Sequence, residues 1–380
     1  MSRVAVISVA QTEHSQRLDK TCRELVYDVS REALTKAGLS KDALETVVTA
    51  SSDYWQGMGC SNVFYYEGAA SYLKDSPKVE GDSAHAFVYA AMRIMSGHFD
   101  AALVASVTKC SETPSVAALT SLSCDPFYQR PVGLEDVAAA GLQARQYLEQ
   151  YSVPETALAE VARKNLRHAL SNPYAHRKAD LTVEEILASD VAAWPLREAE
   201  CAQGSDGACA IVLADERRAR ELTADPVWLR GFGWATESYA VGERDLLAGV
   251  ALRRAASSAY AMAGIDEPAR QVSVVELGAP YAHQELLWCE GLGFCPEGEG
   301  GKLLADGVTA LDGSLPVNPS GGVLATNPYL ARGLIRVGEA ALQLMGQAGS
   351  RQVTGAKTAL AHSTYGLAGQ AHTVVILGKD

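Results

Sequence analysis

The strongest constraint on the fold is that one order of strand and helix occurs twice along the chain. In the first part, Val4–Val9 is a short β-branched run. An amphipathic stretch from Cys22 to Ala37 follows and stops at Gly38, which reads as strand, loop and a glycine-terminated helix. A strand around Glu45–Ala50, an irregular Gly- and Tyr-rich stretch from Ser51 to Tyr72, a helix over Ala84–Ser96 and an unbroken apolar strand Ala101–Val107 complete this part. In the second part, Val272–Leu277 is an apolar strand, Tyr281–Leu292 and Gly333–Met345 are helices, and Thr358–Ala361 and Thr373–Leu377 are strands. Two successive α/β units predict two largely parallel sheets with helices on both faces.

Between these parts the chain is Ala- and Leu-rich, with helical periodicity over Val137–Ser152 and Glu155–Leu170, broken at Asn172-Pro173. We read residues 111–200 as a helical insertion, 1–110 with 201–224 as the N-terminal half, and 225–380 as the C-terminal half. Glu216–Ala224, charged and without apolar periodicity, is the expected connection between halves.

Composition narrows the function. The 380 residues are 48% hydrophobic and 21% charged, ordinary for a globular protein large enough to hold more than one domain. The net charge of −12, with 33 basic against 45 acidic residues, argues against general nucleic-acid binding, which needs a cationic surface. One anionic small molecule needs only a few basic side chains or a helix N-terminus. Eight cysteines without a CxxC pair speak against a zinc ribbon or redox motif and suit free thiols in a reducing cytoplasm. The apolar stretch at the start, Val4–Ala10, is too short for a signal peptide or a membrane span.

Several segments then point the same way: VNPSGG at Val317–Gly322 and GLIRVGEAALQ at Gly333–Gln343, SDGACAIVLADE at Ser205–Glu216, VELGAPYAHQELL at Val275–Leu287, and VEGDSAHAF at Val79–Phe87 leading into SGHFDAALVAS. Together they resemble the thiolase superfamily over essentially the whole chain. The likeness is greatest to the sterol-carrier-protein-type and archaeal-type branch that works with a zinc-ribbon/OB-fold partner. The resemblance implies a duplicated five-layer αβαβα fold with a helical insertion in the first half, a homodimer, and chemistry on the α or β carbon of a coenzyme A thioester, with no metal in this chain.

The family's reactive stations are altered. Where thiolases place a nucleophilic cysteine at the start of a buried helix, this chain has Ser83 in the context Gly81-Asp82-Ser83-Ala84-His85. A hydroxyl is a poor nucleophile without an adjacent base; Asp82 or Ser83 equally suits a helix cap. The second station reads Gly278-Ala279-Pro280-Tyr281 in place of the family's Asn-Glu-Ala-Phe or His-Asp-Cys-Phe, leaving Tyr281 and, just beyond it, His283. At the third, Asn327 of Thr326-Asn327-Pro328 takes the place of the Gly-His-Pro histidine. Its amide N–H is able to donate to an enolate oxygen, and Asn before Pro is also ordinary turn chemistry. The fourth, His362-Ser363-Thr364-Tyr365-Gly366, has no cysteine; His362 and Tyr365 are either proton carriers or satisfied structural residues.

Taken with the missing thiols, the resemblance implies retro-aldol cleavage of a β-hydroxyacyl-CoA, which needs a base and an enolate donor but no nucleophile. The proton carrier is expected among Tyr281, His283, Tyr365 and His362, and the enolate donor is Asn327. The alternatives are Claisen-type thiolysis, as in benzoylsuccinyl-CoA thiolases, and a silent thiolase-fold scaffold. Gly321 and Gly322 with Arg163 and Arg167 are the expected contacts to CoA, and a second polypeptide is expected to complete that site.

Overall fold

The computed structural model describes residues 3–380. The first half runs β1 (Val4–Gln11), α1 (Cys22–Ala37), β2 (Thr46–Ser51), β3 (Lys78–Glu80), α2 (Ser83–Met95) and β4 (Ala101–Lys109). After the insertion, which carries α3 (Asp136–Tyr151) and α4 (Glu155–His168), the half closes with β5 (Asp206–Asp215). The second half runs β6 (Val227–Thr236), α5 (Val250–Ala263), β7 (Val274–Glu276), α6 (Ala282–Gly291), α7 (Arg332–Met345), β8 (Thr358–Tyr365) and β9 (Ala371–Gly378). Local chemistry sets the boundaries of α1. Thr21 accepts the Glu24 N–H while the Glu24 carboxylate accepts the Thr21 N–H, and Gly38 ends the helix at φ 67°.

The strands form one nine-stranded sheet in the order β3-β2-β4-β5-β1-β6-β9-β8-β7. Read outward from the β1–β6 junction, β1, β5, β4, β2 mirror β6, β9, β8, β7, which is the duplication expected from the sequence. The junction itself consists of two residue pairs, Ala5 with Trp228 and Val6 with Val227. The expectation of largely parallel strands is corrected. Only β2–β3, β2–β4 and β7–β8 are parallel, because β5 and β9 each return as an antiparallel strand through the middle of its half.

Helices α2 and α7 pack against each other and against strands of both halves. They share one core in which Phe87, Val88 and Ala91 meet Leu334, Ile335 and Ala341 between Val104 and Ile211 on one side and Ala361 and Val375 on the other. On the outer faces α1 covers Leu103, Ala105 and Val212, and α5 covers Leu360, Val374 and Ile376. This gives the layers α, β, α, β, α. It also explains why β4 lacks polar alternation: Leu103 faces α1 and Val104 faces α2, so both sides of the strand are dry.

The segment between β5 and β6, Glu216–Leu222, is a short helix capped by Asp215, its charges paired as Glu216–Arg220 and Arg217–Glu221. The insertion interrupts the first half in sequence but packs on the second: Tyr147, Leu158 and Val161 share a core with Leu252, Leu286 and Trp288. No helix among the described residues is long and apolar enough to cross a membrane.

The starts of the two middle helices come together at Gly333. A Cβ there would lie 2.5 Å from Asp82 Oδ1, 2.6 Å from Ser363 Oγ and 2.9 Å from the Ala84 nitrogen. A Gly→Ala change within a helix ordinarily stabilises by about 1 kcal/mol. Gly333→Ala is expected to reverse that sign and lower stability by roughly 1–3 kcal/mol through overpacking, read from urea unfolding midpoints.

Candidate functional site

The site grows from the meeting of these helix starts. Asp82 caps α2: its Oδ1 accepts the Ala84 N–H at 3.0 Å and the Ser363 hydroxyl at 2.8 Å, and its Oδ2 accepts the Thr373 hydroxyl at 2.7 Å. The residue before α7, Ala331, supplies no side-chain cap. Ser83 fills that gap, because its fully buried Oγ accepts the Leu334 N–H at 2.8 Å. Among the described residues Ser83 has no hydrogen bond to a histidine, lysine or carboxylate, so nothing is placed to take its proton.

Beside these helix ends lies a cluster of aromatic and charged groups that runs from buried Tyr329 and Arg332 to exposed Tyr54. The Tyr365 ring lies against Gly81, which is left-handed at φ 86° and where a Cβ would come within 2.7 Å of Tyr365 Cζ. Tyr365 faces Tyr54 and Tyr329. Trp55 stacks on Tyr329 at 4.1 Å between centroids, and the Arg332 guanidinium lies 4.4 Å from the Tyr329 ring centre. Arg332 Nη2 donates to the Thr364 carbonyl at 3.0 Å, while Nη1 has no partner. Asp136, the first residue of α3, faces Tyr281, Arg332 and Tyr329.

Residues 201–205 tie the remaining pieces to this cluster. The Ala202 N–H donates to the Pro280 carbonyl at 2.8 Å and the Ser205 N–H donates to the Asn327 carbonyl at 3.0 Å. The three peptide units from Ala202 to Ser205 span at most about 10 Å, which keeps Tyr281 and Asn327 in one neighbourhood. The Asn327 side chain is buried and its Oδ1 is unpartnered.

Burial sets the protonation states here. It pushes the Tyr281 phenol well above its usual range, with the nearby Asp136 carboxylate adding to the effect, and it raises Tyr329 and Tyr365 as well. Burial also raises the Asp136 carboxyl, an effect opposed by Arg332 and by the Tyr281 hydroxyl. The nearest thiols are Cys110, pushed by burial up to about 11, and Cys201, pushed by burial and by Glu200 up to about 12. Both are neutral thiols at pH 7 and hence weak nucleophiles.

The other residues singled out from sequence are engaged elsewhere. His283 Nε2 meets Gln143 Oε1 at 3.0 Å, and Gln143 Nε2 donates to the carbonyls of Leu246 and Ala368. His362 Nε2 lies 2.9 Å from His372 Nδ1, and His372 Nε2 lies 2.9 Å from the Gly369 carbonyl. Gly321 and Gly322 shape the loop that lies on α4, where a Cβ on Gly321 would come within 2.7 Å of Ala169 Cβ. Arg163 pairs with Glu160 and Arg167 with Asp180. Two cavities lie nearby. One of about 1040 Å³ reaches Trp55, Gln56, Tyr65 and Leu330, behind the Tyr329 ring. Another of about 710 Å³ lies between α4 and residues 298–310 and is lined in part by Arg163, Lys164 and Lys302.

Sequence reasoning passed over Asp136, Tyr329, Arg332, Tyr54 and Cys201. The available signals were Tyr329 two residues after Asn327 and Arg332 just ahead of the Gly333–Gln343 motif; nothing local marked Asp136.

Comparison with known proteins follows from this geometry. Residues 233–379 match a family model described as thiolase C-terminal domain-like. An acetyl-CoA acetyltransferase of Methanothermobacter thermautotrophicus is 30% identical over 98% of this chain and 98% of its own. The benzoylsuccinyl-CoA thiolase subunit BbsB of Thauera aromatica is 32% identical over 59% of each chain. Among solved structures, the Ltp2-ChsH2(DUF35) aldolase is similar with a TM-score of 0.87 at 24% identity, covering 100% of this chain and 98% of that one, a likeness of fold.

The histidine pair fixes a testable proton arrangement. With the Gly369 carbonyl accepting from His372 Nε2–H, His372 Nδ1 is the acceptor for His362 Nε2–H, which leaves His362 Nδ1 bare and unpartnered. Burial holds His372 down at about 3 and His362 well below its usual range. Nitrogen-15 NMR is expected to show both rings neutral and Nε2-protonated at pH 5.5. An imidazolium signal from either ring at that pH contradicts the arrangement.

Proposed function

The chain belongs to the thiolase superfamily, and from that footing we propose that it cleaves the Cα–Cβ bond of a β-hydroxyacyl-CoA by retro-aldol chemistry, without a covalent acyl-enzyme. The observation that carries this reading is the Ser83–Leu334 hydrogen bond at the position where the family keeps its nucleophile. The hydroxyl caps the second middle helix and has no base beside it. The two nearest thiols are held neutral by burial.

The reaction needs three groups. One takes the proton from the β-hydroxyl as the Cα–Cβ bond breaks, one holds the resulting thioester enolate, and one returns a proton to Cα. Tyr281 fits the first role. Asn327 fits the second through its Nδ2–H donors, which no side chain or carbonyl of the protein engages, whereas its buried, unpartnered Oδ1 is an acceptor and takes no part in holding the enolate oxygen. Tyr365 fits the third. His283 and His362 fit less well, because the N–H of each is engaged by Gln143 and His372 respectively. The products are an aldehyde or ketone and a shortened acyl-CoA.

Claisen thiolysis is the second reading, favoured by the full-length likeness to an acetyl-CoA acetyltransferase. It requires a thiolate, for which Cys201 and Cys110 are the nearest sources, or an activated Ser83. The scaffold reading gains nothing from a cluster that combines four tyrosines, an arginine and a carboxylate at a cost in burial. For assembly, we propose a homodimer joined by a zinc-ribbon/OB-fold partner that supplies part of the CoA site. In support, Arg163 and Arg167 are already paired with carboxylates, the solved relative is a complex with a DUF35 protein, and the Thauera relative is a subunit.

The test is turnover of β-hydroxyacyl-CoA and β-ketoacyl-CoA in separate assays, with partner added. Carbonyl release from the former alone is expected. Tyr281→Phe should lower kcat by about 10²-fold or more, the usual contribution of a proton-transfer group. Ser83→Ala should keep kcat within a factor of ten while losing roughly 1–3 kcal/mol of stability, because the Leu334 N–H is left buried and unpaired. CoA-dependent thiolysis abolished by Ser83→Ala would contradict the reading.

A further inference from the structure

Tyr281 lies in the middle of the turn that joins β7 to α6, and one side chain from another part of the sequence holds both ends of that turn. Asn318 is buried; its Oδ1 accepts the Leu277 N–H at 2.7 Å, and its Nδ2 donates to Glu285 Oε2, also at 2.7 Å. Leu277 comes four residues before Tyr281 and Glu285 four residues after it. Only one orientation of the amide serves both partners. The reverse would set N–H against the Leu277 N–H and a carbonyl against a carboxylate.

Both partners in this tie are themselves fixed. The Asn318 N–H donates to the Val275 carbonyl at 2.8 Å, and the Asn318 carbonyl lies 3.0 Å from His168 Nδ1. Its backbone is left-handed at φ 54°, a conformation that Asn adopts more readily than most residues. Gly322 leaves room for the amide, since a Cβ there would come within 2.7 Å of Asn318 Cγ. Glu285 Oε2 also accepts from Asn165 Nδ2 at 2.7 Å, and Glu285 Oε1 accepts from Lys164 Nζ at 2.5 Å. Lys164, Asn165 and His168 all belong to α4, so the insertion grips the same tie. An asparagine that served only its own loop would bond its near neighbours.

We infer that Asn318 is a positioning residue for Tyr281, fixing the turn that carries the phenol relative to the segment that supplies Asn327. The inference rests on the retro-aldol reading and deepens it by naming what holds the proton acceptor in place. The middle of the turn has its own restraints: the Ala202 N–H donates to the Pro280 carbonyl at 2.8 Å, and Cys201 bridges to Tyr281. Its back lies on β8, where a Cβ on Gly278 would come within 2.9 Å of the His362 carbonyl oxygen. Loss of the Asn318 tie therefore frees the ends of the turn while its middle stays attached, which displaces Tyr281 rather than unfolding the site. Displacement is costly for chemistry, because a reacting group out of place by about 1 Å loses about 10²-fold in rate.

The test compares the full-length wild type with Asn318→Asp and with the exchange pair Asn318→Asp/Glu285→Gln. The single variant keeps an oxygen for the Leu277 N–H and sets a second carboxylate against Glu285; the exchange pair restores an N–H between the two positions with its polarity reversed and the total charge unchanged. One readout needs no substrate. With 3-fluorotyrosine placed at position 281, Asn318→Asp should move the fluorine resonance, and the exchange pair should return it to the wild-type position. The other is β-hydroxyacyl-CoA cleavage, where Asn318→Asp should lower kcat by about 10²-fold with KM little changed and the exchange pair should recover about tenfold or more. A resonance that stays in place in Asn318→Asp overturns the inference, as does a single variant that changes KM alone. An exchange pair no better than the single variant, in folding or in rate, overturns it too; if Asn318→Asp does not fold, an exchange pair that folds with the wild-type resonance supports it. A wild type that releases no carbonyl compound overturns the retro-aldol reading, while the fluorine comparison still decides whether Asn318 places Tyr281.

Discussion

Two helix N-termini meet in the middle of this protein, and the arrangement of the site follows from how that contact is made tolerable. Each helix start carries partial positive charge and unsatisfied N–H groups, so bringing two together is unfavourable unless acceptors are placed between them. Asp82 supplies the charge and Ser83 the acceptor for the Leu334 N–H, while Gly333 leaves the space that both need. The consequence is chemical. In the reading proposed above, the Ser83 hydroxyl is consumed in holding the fold, and the reacting groups come from elsewhere.

That reading draws them from the rim of the same contact. Arg332 opens α7, Tyr329 lies just before it, Tyr365 ends β8 against Gly81, and Asn327 and Tyr281 are bound to opposite ends of one extended segment. Arg332, Tyr329, Asn327 and Tyr281 are buried and Tyr365 is partly so, which raises the phenols, and the carboxyl and guanidinium groups here are those of Asp82, Asp136 and Arg332. A site of this composition is poor at nucleophilic attack. It is well suited to moving protons and to holding an enolate oxygen in a place that water reaches with difficulty.

Much of the fold was legible because its signals are local. Gly38 and Gly346 close the helices that precede them, and the duplicated order of apolar runs reflects two halves of one sheet, each covered on both faces. Strand direction was not legible, since whether β5 or β9 runs parallel depends on partners far along the chain. Helix Glu216–Leu222 was missed because pairs such as Glu216–Arg220, rather than an apolar stripe, hold it. In the site, residues adjacent to family motifs were found one by one. Asp136 was not, because the insertion brings it in from a distant part of the sequence and only the packing of α3 on the second half reveals its neighbours. His283 and His362 stood out as titratable residues, and no sequence feature disclosed that Gln143 and His372 engage them.

The account turns on the absence of any bond between substrate and polypeptide during turnover. Rapid-quench mass spectrometry of the intact protein, sampled from milliseconds to seconds with a CoA thioester substrate, addresses this directly. The account predicts that the polypeptide mass stays unchanged at every time point while carbonyl product accumulates. A transient adduct with the mass of the acyl group, formed and lost at the rate of turnover, would contradict it.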